Sequence, residues 1–380
     1  MKNSQFKVLA AAAAMLTMTA VSPWLRAQDD TAAPAEAVAD PAAEPAAEAV
    51  AAEEAAPAEE SSTGEAAEMP VAPVAPVKPR PSETLALTAK GLMLDVTNTG
   101  KHLVAVGDRG AVIVSNNGSD WAQVQTPVRS PLTAVAFADE MNGWAVGHDA
   151  VILATKDGGK TWAMQNFAPE LEKPFLDVVA LDANNVLAFG AYGLLYKTTD
   201  GGTTWATAEA PEIRADELHF NGASKLNNGS VLAVGEQGML GLSADGGATW
   251  TKLASPYDGS FYGALPLGET GALVYGLRGN VFKTADVAGG QWTQVQTDTV
   301  ASFFGATLLA DGGVALVGLA GAVLKLDAAD NATKLRVKVR GTDALGRELD
   351  KDVTGSFSSA APFAGGLLVV GEQGVQSLKL

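Results

Sequence analysis

Between Leu132 and Trp162 the chain reads Leu-Thr-Ala-Val-Ala-Phe-Ala-Asp-Glu-Met-Asn-Gly-Trp-Ala-Val-Gly-His-Asp-Ala-Val-Ile-Leu-Ala-Thr-Lys-Asp-Gly-Gly-Lys-Thr-Trp. Three short apolar runs stand here, Leu132 to Phe137, Gly143 to Val146 and Val151 to Thr155. Turn-forming residues separate them, and a fourth run begins at Thr161. Runs this short and this β-branched, punctuated by Gly and Asp, read as strands A to D of one antiparallel sheet. The Val-Gly-x-x-Gly phrase is then the B–C hairpin, where glycine supplies a positive φ without a Cβ penalty.

The phrase recurs. Leu103-Val-Ala-Val-Gly107-Asp-Arg-Gly110, Val231-Leu-Ala-Val-Gly235-Glu-Gln-Gly238 and Leu367-Leu-Val-Val-Gly371-Glu-Gln-Gly374 repeat it, with further copies around Gly147, Gly190, Gly276 and Gly318. Seven copies lie 40, 43, 45, 41, 42 and 53 residues apart. A period near 43 residues is one four-stranded blade per repeat, so residues 81–380 are predicted to form an all-β, seven-bladed β-propeller of four-stranded antiparallel blades. Strand A is expected innermost, where the small residues Ala134, Gly263, Gly305 and Ser359 suit the crowding. The last copy supplies strands A, B and C only. The missing fourth is assigned to an N-terminal strand, Glu83-Thr-Leu-Ala-Leu-Thr88, which completes the last blade and closes the ring. The longest insertion is a charged loop, Gly341 to Asp352, between the sixth and seventh copies.

A second motif sits between strands C and D. Thr155-Lys-Asp157-Gly-Gly-Lys-Thr-Trp162 returns as Thr198-Thr-Asp200-Gly-Gly-Thr-Thr-Trp205 and Ser243-Ala-Asp245-Gly-Gly-Ala-Thr-Trp250, with degenerate forms ending at Trp121 and Trp292. A carboxylate here can accept backbone N–H groups across the turn while the Trp wedges into blade packing. Asp157, Trp162, Asp200, Trp205, Asp245 and Trp250 are therefore read as structural.

Ahead of the repeats, Lys2 and Lys7 flank an apolar run from Val8 to Ala20, and Leu25-Arg26-Ala27 offers a cleavage site before Gln28. Residues 1–27 read as a signal peptide, with retention as an anchor the alternative, and the chain is expected to be exported to the periplasm or an equivalent lumen. Residues 28–80 hold twelve acids against Lys78 and Arg80 and no aromatic residue. Such a composition cannot bury enough apolar surface to offset its ordering entropy, so a disordered Ala/Pro/Glu-rich linker is expected. The chain has no cysteine, three scattered histidines (His102, His148, His219) and net charge −17. Disulfides and thiolate metal sites are excluded, no metal site or cofactor is expected, and nucleic acid is disfavoured as a partner.

The combined pattern, Leu-x-x-Val-x-Phe, Gly-x-Ala-Val-Gly and Thr-x-Asp-Gly-Gly-x-Thr-Trp, resembles the Ycf48/HCF136-like propellers, within the BNR/Asp-box repeat group, and covers nearly all of residues 81–380. The resemblance implies a lumenal or periplasmic scaffold of the kind that assists photosystem II assembly.

On the residues themselves two readings compete. An Asp-box glycoside hydrolase of the sialidase kind would need converging arginines. Only Arg109 and Arg278 occupy equivalent B–C turns, with Arg129 or Arg214 the candidate third. No catalytic residue is assigned. The alternative is a non-enzymatic, monomeric scaffold that binds a protein partner, possibly a membrane complex, through the face shared by B–C turns and D–A loops. That face carries Asp108, Arg109, His148, Asp149, Tyr192, Glu236, Gln237, Arg278, Glu372 and Gln373, mixing Arg, Tyr and His with carboxylates where plain turn filler would be Asn, Asp and Gly.

Overall fold

The computed structural model describes residues 77–335, 338–342, 348–352 and 355–378, with side chains described in 77–335 and 355–378. The export segment and all but the last residues of the linker lie outside the described residues. The repeats form seven antiparallel sheets, each in the order A-B-C or A-B-C-D. The A strands are Met93–Asn98, Leu132–Phe137, Phe175–Ala180, Phe220–Lys225, Phe261–Leu267, Phe303–Leu308 and Phe357–Phe363. Each packs on the next in chain order and the seventh packs on the first, which closes a seven-bladed propeller.

Burial explains why the B strands carry unbroken apolar runs. Leu103–Gly107, Gly143–Gly147, Val186–Gly190, Val231–Gly235, Gly271–Gly276 and Val314–Gly318 are buried at every residue, because each blade is sandwiched between two others. The core is accordingly a set of inter-blade layers. One joins Leu187 and Phe189 of the third blade to Phe220, Val231 and Ala233 of the fourth, with Trp250 wedged against them. The residue opening strand A is fully buried in every blade, and in five of them it is Phe (Phe175, Phe220, Phe261, Phe303, Phe357).

Every A strand breaks register with its B strand after the first residue, so one bulged residue precedes the channel-lining position. That position holds Asp95, Ala134, Asp177, Gly222, Gly263, Gly305 and Ser359 around the ring. The crowding expected from the small residues is present. A Cβ on Gly263 would lie 2.2 Å from the Tyr275 hydroxyl, and one on Gly305 2.8 Å from Ser359 Cα.

The C–D turns are built as the motif predicts. Asp200 Oδ1 accepts from the Thr198 hydroxyl (2.8 Å) and the Thr204 amide (2.9 Å), and Oδ2 from the Thr204 hydroxyl (2.7 Å). Asp157 and Asp245 repeat the pattern. Bonds from the Thr204 amide and hydroxyl and from Thr198 hold Asp200 down at about 2. The Thr249 hydroxyl and amide hold Asp245 at the same value.

Two expectations need correction. Residues 83–88 form no strand, and the last blade has three among the described residues: Phe357–Phe363, Gly366–Gly371 and Gly374–Leu378. Residues 81–88 lie instead against the first blade, and Ala89 and Lys90 then pack on Gly374 of the seventh. Ser82 N–H donates to Thr126 O (2.9 Å), Leu85 N–H donates to Gln123 Oε1 (2.8 Å), and Arg129 bonds Pro81 O and pairs with Glu83 at 2.6 Å. These polar groups satisfy the backbone that a ladder would have used, and the segment then turns into a 3-10 helix at Thr88–Lys90. In the insertion before the seventh blade, Lys338–Thr342 pairs with Glu348–Asp352 in continuous antiparallel register, so Gly341, Thr342 and Glu348 to Asp352 are paired strand, not open loop.

Candidate functional site: the turn face of the ring

Each B–C turn is fixed by its glycines. The first has no room for a Cβ, since one on Gly147 would lie 2.0 Å from Pro131 O and one on Gly276 2.2 Å from Ser260 O. The second takes positive φ against a carbonyl of the D–A loop; a Cβ on Gly110 would lie 2.1 Å from Val128 O. The residue between them is thereby forced into the left-handed region: Arg109 (φ 56), Asp149 (φ 60), Tyr192 (φ 53), Gln237 (φ 51), Arg278 (φ 56) and Ala320 (φ 55). For a non-glycine residue this is a strained choice, repeated in six blades; the seventh, where Gly371 pairs directly with Gly374 in a shorter hairpin, does not share it. Ala150 replaces the second glycine in the second blade and sits buried at φ 49.

This geometry divides the ten candidate residues in two. Arg109, Tyr192, Gln237, Arg278 and Gln373 are exposed on the face. The others brace it, Glu372 while itself exposed. Glu236 accepts the His219 amide at 3.0 Å, Glu372 accepts the Ser356 amide at 3.2 Å, and Asp108 Oδ1 accepts the Arg109 amide at 2.8 Å. Asp149 takes a 2.5 Å bond from the Ser130 hydroxyl. His148 is half-buried; burial holds its imidazole below the usual value, against the pull of Asp149 and of Asp108 on the neighbouring blade.

Sequence reasoning named Tyr192 but missed its neighbours His219 and Lys173, and also Val300 and Leu171. Tyr192 stands 51% exposed, edge-on to His219 with ring centroids 4.5 Å apart and with Lys173 Nζ 5.9 Å from its ring centroid. Val300, 83% exposed, lies in the loop whose Ser302 hydroxyl accepts the Arg278 amide at 3.1 Å. Leu171, on the loop entering the third blade, is exposed as well. A lone apolar residue in a polar loop was the available signal for Val300.

Below the face, the bulged residues tie each blade to the next. Thr133 Oγ1 donates to Phe175 O (2.8 Å), Asn221 Nδ2 to Phe261 O (2.9 Å) and Ser358 Oγ to Met93 O (2.9 Å). The next layer down holds two carboxyls that the sequence reading passed over. Asp95 accepts the Val96 and Val135 amides, both at 2.8 Å, and Asp177 accepts the Val178 and Ala223 amides, both at 2.7 Å. Burial raises Asp95 to about 6 and Asp177 to about 7, the hydrogen bonds opposing and the Asp95 charge adding to the rise at Asp177.

Among the described residues of this face, the arginines a sialidase-like site would need do not converge. Arg129 is tied to Pro81 and Glu83, and Arg214 spends its guanidinium on Gly193 O (2.7 Å) and Ala208 O (3.0 Å), so neither joins Arg109 and Arg278. Among the described residues no group of three His, Asp or Glu is placed to hold a metal ion. Two clefts, of about 540 and 420 Å³, lie away from the face. One is on the outer rim of the fifth blade beside Lys283, the other at the opposite mouth of the channel beside Asn98 and Thr307.

Comparison with known proteins agrees with the sequence resemblance. The Photosystem II assembly protein Ycf48 of Thermosynechococcus vestitus is 38% identical over 42 residues, 11% of this chain and 12% of that protein. The stability/assembly factor HCF136 of Cyanidioschyzon merolae is 35% identical over 75 residues, 18% of this chain and 17% of that protein. The matched stretches thus span less than a fifth of these relatives. Among solved structures, YCF48 bound to D1 peptide superposes with TM-score 0.59 at 18% identity, covering 77% of this chain and 94% of that one. A streptogramin B lyase superposes with TM-score 0.62 at 9% identity, covering 77% and 96%; the propeller fold alone does not separate binding proteins from enzymes. The sequence model described as Photosynthesis system II assembly factor YCF48 matches residues 113–175 and 165–343, more than half of the chain, which therefore belongs to that family.

Proposed function

We propose that this chain is an exported, non-enzymatic assembly factor that binds a protein partner, part of a membrane-associated complex, through its B–C/D–A face. The observation that carries the reading is the set of side chains held outward by left-handed turns. Arg109, Tyr192, Gln237 and Arg278 project from left-handed positions whose backbone has no other room, and Gln373 is exposed on the same face. Rigid aromatic and arginine anchors are what a protein interface uses for most of its affinity. Family membership supports it, as does the relative whose structure holds a D1 peptide. Export rests on the N-terminal charge and apolar pattern of residues 1–27, and the expectation of a monomer on the closed ring.

The deciding experiment places a photo-crosslinking residue at Arg278 and, separately, at Thr203 on the opposite rim, in chain expressed in its own cells. Adducts with one protein from the Arg278 position, lost in Arg109→Glu, are expected. Adducts from Thr203 alone would move the interface. Turnover of a fluorogenic glycoside that Arg109→Ala abolishes would replace the scaffold with a hydrolase.

A further inference from the structure

In six blades strand C is covered by a short strand D, and the cover has one register. Residues three and four positions past the second turn glycine pair with it: Ile113 and Val114 with Gln123 and Ala122, Gly241 and Leu242 with Lys252 and Thr251, Phe282 and Lys283 with Gln294 and Thr293. The carbonyl two positions past the turn then accepts the amide that follows strand D, as Leu240 O does from Leu253 and Val281 O from Val295. In the first five blades a Trp precedes strand D and packs on the preceding blade. Trp162 lies against Val104 and Val106, and Trp250 against Leu187 and Phe189.

The seventh blade lacks this cover among the described residues. On strand B, Val370 stands where Val234 stands in the fourth blade, and its partner is Val375, so Val375 and Ser377 turn their backbone N–H and C=O outward from strand Gly374–Leu378, while Gln376 faces strand B. The strand shows what an uncovered edge should show. Strand C ends on a buried residue in every other blade, whereas here Ser377 is exposed and Val375, Gln376 and Leu378 are half-buried. Gln376 Oε1 is buried with no hydrogen-bond partner. The described strand carries none of the usual edge protections, having no Lys, no Pro and no bulge.

We propose that this edge is a second docking site, which accepts an extended segment of a partner protein as the fourth strand of the seventh blade. The repeat itself specifies the ligand: about three residues running antiparallel to Gly374–Leu378, preceded by an aromatic side chain that packs on the sixth blade beside Leu335 and Leu378. A second copy offers at this edge only Gly-Val-Gln-Ser-Leu, without an aromatic. Residues 28–80 contain no aromatic either and are rich in Pro. The site lies on the outer rim and is independent of the turn face.

The test uses the full chain and a fluorescent peptide copying its own fourth-blade cover, Gly247-Ala-Thr-Trp-Thr-Lys-Leu-Ala254. Saturable binding is expected, weakened about tenfold or more when the peptide Trp becomes Ser. Ser377→Pro removes the outward N–H at an edge position, where proline is tolerated, and should abolish binding. Ser377→Thr keeps the N–H and should bind as the parent does, which separates lost docking from lost folding. Arg278→Glu should change nothing here, so the two proposed sites fail separately. Absence of binding, or binding indifferent to Ser377→Pro, overturns the proposal. So does slow amide exchange at Val375 and Ser377 in the free chain, which would mean that the edge is already covered. A dimer that Ser377→Pro dissociates would assign the edge to a second copy and overturn it equally.

Discussion

Replacing Asp95 by Asn should stabilise the ring at high pH and destabilise it at low pH. Asp95 and Asp177 each bond two backbone amides, one of them on the next blade, inside a channel wall that offers no cationic partner among their contacts. Their pKa values rise from 3.8 to about 6 and about 7. Between those limits the native ring holds protons that the unfolded chain has released, so these groups contribute most below about pH 4 and the contribution is lost as pH climbs toward 7. At about 1.4 kcal/mol per pH unit, the Asp95 shift alone is worth about 3 kcal/mol at pH 8. Asparagine removes that charge and relieves Asp177 of a like neighbour. It offers one carbonyl oxygen where Asp95 offered two, which costs roughly 1 kcal/mol for the amide left short. The net expectation is a gain of about 2 kcal/mol at pH 8, a loss approaching about 1 kcal/mol below about pH 3 and curves that cross near pH 4.5. Urea unfolding of parent and variant at half-unit pH intervals measures this directly. Parallel curves, or parent stability rising from pH 5 to pH 8, would refute the placement of uncompensated carboxyls in the channel.

Trp250→Ala should cost about 3–5 kcal/mol, because the ring is 5% exposed and packs edge-on to Phe189 at 5.8 Å; chemical denaturation gives the value. Asp245→Ala removes an acceptor that serves two hydroxyls and two amides, so thermal scans should show a lower Tm with partner capture intact. Since its native pKa is about 2, this stabilisation is present above about pH 4 and is lost on acidification toward 2, the opposite sense to Asp95. A chain starting at Gly91 should melt below one starting at Pro81, having lost the bonds from Ser82, Leu85 and Thr88 to the first blade, and equal melting would empty that packing of significance. Arg109→Glu and Arg278→Glu should change stability by under about 0.5 kcal/mol, as exposed turn positions do, while weakening partner capture in a pull-down.

The fold was legible because the repeat spells it seven times. The first glycine of each B–C turn answers to a steric need that recurs in every blade, the second in all but the one with Ala150, and a recurrent need leaves a recurrent letter. What was not legible occurs once. The alternation in Glu83-Thr-Leu-Ala-Leu-Thr88 satisfies the rule for a strand, and the inference that it would pair with the nearest open edge was wrong. Alternation says that a segment can be extended; it does not name the edge. Gln123 and Arg129 decided that matter by capturing the Leu85 amide and the Pro81 carbonyl, and Leu85 and Leu87 stay exposed at 44% and 66%. The channel aspartates escaped for a related reason. Position by position they sit where the ring otherwise places Ala, Gly or Ser, and only the bulge that re-aims each inner strand brings Asp95 and Asp177 into one channel. Bulges leave no mark on the hydrophobic pattern, because the strand resumes its alternation one residue later.

The same division separates scaffold from specificity on the turn face. Six turns share one backbone conformation, yet the residue held in it is Arg, Asp, Tyr, Gln, Arg and Ala in turn. Stability cannot be choosing these side chains. Glycine would adopt the left-handed conformation with less strain than any of them, and most make no contact that the fold requires. Asp149, bonded to Ser130, is the exception that the fold does use. A strained position filled by a large exposed side chain is an expense that folding alone does not explain, and it recurs at Arg109, Tyr192, Gln237 and Arg278. The ring therefore acts as a fixed frame that displays one variable residue per blade. Partner choice should follow those few residues, and exchanging them between relatives of the family should transfer it without disturbing the blades.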